Sequence, residues 1–93
     1  MEFEWDENKA QINKKKHGVS FEEAATVFDD ADALQIFDPD HSESEDRFIL
    51  LGMSAILRIL VVCHCYRAED SKIRIISARK ATRNESFTYE RRK

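Results

Sequence analysis

Glycine and proline are scarce in this chain, two and one in 93 residues. That excludes long flexible linkers and low-complexity tethers. No apolar run approaches the length needed to cross a bilayer. The start, MEFEWDENKA, has no basic segment leading into an apolar one, so no secretory leader is expected. A cytoplasmic protein with no membrane partner is the expectation. Cysteine is nearly absent too: Cys63 and Cys65 stand two apart in an apparent strand. Neighbours on one strand do not favour a mutual disulfide, and with one nearby His they fall short of a four-ligand zinc site. They are expected as small hydrophobes, with no metal and no cofactor. A Gly-rich phosphate loop, His-Glu-x-x-His and Gly-x-Ser-x-Gly are all missing. Nucleotide-hydrolase, zinc-protease and nucleophile-elbow readings therefore lack support.

What the chain does have is charge, unevenly spread. Residues 1–57 hold 5 Lys/Arg against 14 Asp/Glu, a net of −9, and residues 58–93 hold 10 against 4, a net of +6. Fields depend on where charge sits, so a basic half can attract RNA although the whole chain carries −3. The stretch Lys72–Lys93 concentrates this, with eight Lys/Arg and two Glu. At this length, with 42% hydrophobic residues, one domain spanning 1–93 around one core is expected.

The elements can be placed in order. Phe3 to Trp5 reads as a short edge strand. Asp6 is an N-cap for a helix from Glu7 to about His17, with Gly18 as its left-handed stop. His17 ends that helix, where a cation suits the dipole. Ser20-Phe-Glu-Glu23 is a capping box, and Phe21, Ala24, Ala25 and Phe28 follow at i, i+3, i+4 and i+7, a buried helical stripe. Ala33 to Phe37 reads as a strand ended by Asp38-Pro39-Asp40. The loop DPDHSESED (38–46) puts five acids in nine residues. Three strands then follow, 47–54, 57–67 and 72–78, with short antiparallel links. Thr82-Arg-Asn-Glu85 is a second capping box, opening a helix with Phe87 and Tyr89. The result is an α+β domain of order β-α-α-β-β-β-β-α, two N-terminal helices packed on an antiparallel meander with a C-terminal helix.

Alternation in the strand from Leu57 separates two faces. Leu57, Ile59, Val61, Cys63 and Cys65 form an apolar one, expected to meet the helices. Arg58, Leu60, Val62, His64 and Tyr66 form a mixed one, expected to face a groove. Arg47, Arg58, Tyr66, Arg74 and Lys80 are candidate RNA or phosphate ligands; the guanidinium groups among them stay charged and bind phosphate bidentately. Tyrosine rings offer a stacking surface for an unpaired base. RNA cleavage by the 2′-hydroxyl needs a base, a group to stabilise the phosphorane and an acid for the leaving oxygen. His64, whose ordinary pKa is near neutrality, is the candidate proton carrier.

The segments KHGVSFEEAATVFDD (16–30), the acidic loop leading to Asp46-Arg47-Phe48, and RIISARKATRNE (74–85) followed by Tyr89-Glu90 resemble the BrnT family, bacterial toxins of type II toxin–antitoxin systems. The resemblance covers nearly the whole chain. It implies a RelE-like ribonuclease fold, RNA cleavage and arrest of translation. It also implies a BrnA-like ribbon-helix-helix antitoxin, through which the pair would reach operator DNA and repress its own operon. By the same resemblance Arg67, Arg79 and Tyr89 join His64 as the expected catalytic set. Many relatives carry Glu immediately before the position of Arg67, where this chain has Tyr66, and that places more weight on His64. The competing expectation is a binding module without catalysis, acting as co-repressor with a DNA-binding antitoxin.

Overall fold

The computed structural model describes residues 1–42 and 44–92, and the backbone alone of His41. Glu43 of the acidic loop and Lys93 of the basic end lie outside the described residues. Strand β1 (Glu2–Glu4) leads into α1 (Glu7–His17). Asp6 caps α1 by accepting from the Lys9 N–H, and Gly18 closes it at φ 70°, a conformation open to glycine without a side-chain clash. Helix α2 (Phe21–Thr26) starts where the Ser20 hydroxyl accepts from the Glu23 N–H, then tightens into a 3₁₀ turn at Val27–Asp29. Strands β2 (Leu34–Asp38), β3 (Arg47–Met53), β4 (Ile59–Arg67) and β5 (Lys72–Lys80) follow, and α3 (Arg83–Arg92) is the last described element. At its start the capping box closes in both directions: the Thr82 hydroxyl accepts from the Glu85 N–H, and Glu85 accepts from the Thr82 N–H.

The five strands form one sheet in the order β1-β5-β4-β3-β2. The four later strands are antiparallel neighbours, and β1 joins the edge of β5 in parallel. It pairs only with Lys72–Arg74, which leaves the rest of that edge without a strand. Asn13 of α1 takes over there. Its buried amide donates to the carbonyls of Ala78 and Val19 and accepts from the Ala78 N–H, so one side chain does for β5 what a neighbouring strand would do.

Helices α1 and α2 cover one face of the sheet. Phe21, Ala24, Val27 and Val19 pack there on Leu50, Leu60, Val62, Ile73, Ile75 and Ala78. The other face carries a smaller cluster, Leu51, Val61 and Tyr89, under α3. This reverses the expected assignment of faces. Leu60, Val62 and His64 lie under the N-terminal helices with no exposed surface, while Ile59, Val61 and Cys63 face the α3 side. Leu57 and Arg58 are not in the strand at all. They sit in the β3–β4 turn, with Leu57 at φ 66° and its N–H on the Ser54 carbonyl. Near that turn Gly52 allows a close approach, since a Cβ there would come within 2.8 Å of Ala33 and Val27.

Candidate functional site

In an antiparallel pair, residues directly opposite one another point to the same face. Register therefore lays out the open face in rows. One row runs across all five strands as Asp38, Arg47, Cys65, Arg74 and Glu4. The next holds Ile36, Ile49, Cys63 and Ser77, and the third Leu34, Leu51, Val61 and Arg79. A bulge in β5 makes this possible. Cys63 pairs with Ser77 but His64 pairs with Ile75, so Ile76 is the extra residue and the parity of β5 flips beyond it. Without the flip, Arg74 and Arg79 would lie on opposite faces.

A hollow of about 260 Å³ opens on this face, lined by Asp38, Arg47, Ile49, Val61, Cys63, Ile76, Ser77 and Arg79. Arg47 and Arg79 stand one row to either side of Cys63 and Ser77. Apolar strand residues and the Cys63 thiol, pushed up by burial, make the floor. Arg67 is elsewhere. It lies six residues along β4 from Val61, the partner of Arg79, which is about 20 Å at the usual strand rise. The expected Arg67–Arg79 pair therefore does not meet at one phosphate, and Arg47 is the arginine that shares the hollow with Arg79.

Each arginine of this face holds a carboxylate. Arg79 grips Glu85 with two bonds of 2.8 and 3.0 Å. Those bonds hold the Glu85 carboxyl down to about 2 and raise the guanidinium further. Arg74 bonds Glu4 at 2.9 Å, and Glu45 lies 3.6 Å from Arg47 and 3.5 Å from Arg67. All these groups keep substantial solvent contact. Exposed single-bonded pairs such as Arg74–Glu4 contribute about 0–1 kcal/mol and yield easily to a phosphate. The bidentate Arg79–Glu85 pair is tighter and gives way only to an anion that offers bidentate bonds of its own, as a phosphate does.

The other expected residues go elsewhere. Arg58 lies on the α1–α2 side, bonded to Glu23 through two nitrogens and to the Gly18 carbonyl. Lys80 shares the row of Gly52 and Leu60 on that same side, within electrostatic reach of Glu23. His64 packs edge-on to Phe28 and stacks on Phe48. Its Nδ1 meets the Val62 carbonyl at 3.2 Å and its Nε2 the Gln35 amide oxygen at 3.0 Å. Burial pushes its pKa down, which favours the neutral ring. The Tyr66 hydroxyl donates to the same Gln35 oxygen. Tyr89 is on the right side of the sheet but 1% exposed, its hydroxyl donating to Asp30 at 2.7 Å. Burial and that carboxylate raise its pKa, so the phenol stays protonated. Asp30 also accepts from the Met53 N–H, which makes Tyr89 the pin that holds α3 onto the sheet.

Sequence reasoning passed over Asp38, Glu45, Cys63 and Ser77 as parts of this face. Asp38 and Glu45 read as loop acids, and only the register brings them beside the arginines. Among the described residues no group of three or more His, Cys, Asp or Glu side chains is placed to hold a metal ion.

The family model described as ribonuclease toxin, BrnT, of type II toxin–antitoxin system matches residues 5–85. The chain belongs to that family. The crystal structure of the Brucella abortus ribonuclease toxin BrnT is similar, with a TM-score of 0.65 at 26% identity, and the match covers 89% of this chain and 99% of that one. Comparison with curated proteins finds no match. The BrnT match spans the Ser20 cap, the Thr82–Glu85 capping box, the acidic loop and the hollow, and it stops at Glu85, the partner of Arg79. The box expected at Ser20 stays half made, because the Glu23 carboxylate turns to Arg58 and Ser54.

Proposed function

We propose that this BrnT-family chain is a metal-independent endoribonuclease acting in the hollow between Arg47 and Arg79. A phosphate of single-stranded RNA replaces the carboxylates on these two arginines. The adjacent 2′-hydroxyl oxygen attacks phosphorus, the bond to the 5′-oxygen breaks, and a 2′,3′-cyclic phosphate and a 5′-hydroxyl result. Guanidinium groups aimed at the phosphorane oxygens supply the charge stabilisation. The proton leaving the 2′-hydroxyl goes to a carboxylate of this face, which passes it on to the departing 5′-oxygen. Asp38 lines the hollow beside Arg47, and Glu85 is freed as a base when phosphate takes Arg79 from it. His64 drops out of the proposed chemistry because it lies under α2 with no solvent contact, and Tyr89 becomes a positioning residue. Arg67 and Arg74 hold flanking phosphates. Cleavage of cytoplasmic RNA then arrests translation, in a RelE-like manner. A BrnA-like ribbon-helix-helix antitoxin neutralises the chain, and the pair represses its own operator.

The observation that carries this reading is the collection of Arg47, Arg67, Arg74 and Arg79 on one open sheet face, two of them in one hollow. The test is incubation of purified chain with single-stranded RNA in EDTA. We expect fragments ending in 2′,3′-cyclic phosphate, and loss of cleavage in Arg47→Ala and Arg79→Ala. RNA left intact by the wild type would overturn the reading. The second reading, a non-catalytic co-repressor, draws on one feature: every arginine of the face already holds a carboxylate. It expects operator binding with the antitoxin and no cut RNA.

A further inference from the structure

The hollow does not end at β5. Ile76 and Ser77 also line a second depression of about 210 Å³, whose remaining walls are Lys9, Ile12, Asn13, Lys16 and His17 of α1. This continuity follows from the short β1, because the β5 edge beyond Arg74 is met by α1 and not by another strand. Positions 9, 12, 13 and 16 recur at i, i+3, i+4 and i+7, one stripe of a helix. Asn13 turns inward from it to the β5 edge, and Ile12 between the lysines is 65% exposed.

The charges here differ in kind from those of the groove. Each arginine of the open face holds a carboxylate. Among the described residues Lys9, Lys14, Lys15 and Lys16 hold none. Affinity for the helix dipole accounts for cations in the last turn of α1 but not for Lys9, which stands in the first. Unpaired ammonium groups beside an exposed aliphatic side chain suit a flexible polyanion with apolar faces, which single-stranded RNA is.

We propose that Lys9, Ile12, Lys16 and His17 form a second RNA-binding surface, holding the nucleotides that flank those in the groove. It rests on the reading of the groove as an RNA site. RNA then runs across the open face, over Ile76 and Ser77, and onto α1.

The experiment uses the full chain and uncleavable 2′-O-methyl RNA in two lengths, one filling the groove and one roughly three times longer. Wild type should bind the longer strand roughly tenfold more tightly, with a salt dependence steeper by about 1.4 in the log–log slope for the two added lysine contacts. Lys9→Ala/Lys16→Ala/His17→Ala should lose most of that gain while cutting a short RNA as wild type does. Lys9→Arg/Lys16→Arg should keep it, and thermal melts should show both variants folded. An undiminished length gain in the alanine variant overturns the proposal. So does a variant that keeps the gain but no longer captures co-expressed antitoxin, which would make this a protein-docking face. A wild type that neither cuts the short RNA nor binds either strand overturns the groove reading itself and the extension with it.

Discussion

Arg58 and Arg79 both grip a glutamate, but on opposite faces of the same sheet. Arg58 joins Glu23 and the Gly18 carbonyl, tying the β3–β4 turn to the start of α2. Arg79 joins Glu85 at the mouth of an open hollow, where a phosphate can replace the carboxylate. The contrast extends to the rest of each face. Polar groups under α1 and α2 are internal ties: Asn13 to the β5 edge, His64 to Val62 and Gln35. On the α3 side the arginines are partly solvated and held mainly by carboxylates, whose place a phosphate can take. Residue type alone does not separate a binding arginine from a structural one. The face on which it emerges does.

The largest effect expected of this division is on catalysis. Arg79→Ala should lower RNA cleavage by about 10²–10³-fold, the usual cost of losing a group aimed at transition-state charge. Arg58→Ala should leave the rate per folded molecule near wild type and lower stability instead. Equal losses of rate in the two variants, measured under single-turnover conditions below both melting temperatures, would erase the distinction.

Asn13→Ala comes next. It leaves both the N–H and the carbonyl of Ala78 without their partner, at about 2–4 kcal/mol in denaturant unfolding. Cleavage by the folded fraction should be unchanged. Tyr89→Phe removes one hydrogen bond to the Asp30 carboxylate, worth about 1.5–3 kcal/mol. Because α3 carries Glu85 to Arg79, this variant should alter stability and rate together. A purely thermodynamic effect would show that the pin does not position the site.

The smallest effect is on pH dependence. Arg79 holds the Glu85 carboxyl down to about 2, below its ordinary value near 4.5. A folded-state pKa that is depressed stabilises the protein above the ordinary carboxylate range, and the contribution fades as pH falls towards 2. Glu85→Gln should therefore lose less melting temperature between pH 6 and pH 3 than wild type does. Identical losses would mean that the ion pair contributes nothing to stability.

Much of the scaffold was legible because its signals are local. Asp6, Gly18, Ser20 with Glu23, and Thr82 with Glu85 cap helices where the pattern puts them. The faces were not legible, for two physical reasons. Both parities of β4 are apolar enough to be core, and the His64 ring packs between Phe28 and Phe48, so it does not need the solvent that a mixed face suggests. The bulge at Ile76 then flips β5, and no local pattern announces it. Arg47 and Arg79 could be named as candidates from residue type. That they share one hollow, while Arg67 lies six residues along β4 from the partner of Arg79, is a matter of register between segments far apart in sequence.

The central claim is that RNA meets the α3 face of the sheet and not the α1–α2 face. Amide chemical-shift mapping with an uncleavable 2′-O-methyl oligonucleotide tests it most directly. The largest shifts should fall at Arg47, Ile49, Cys63, Ser77 and Arg79. Shifts centred instead on Phe28, Gln35, His64 and Tyr66 would contradict it.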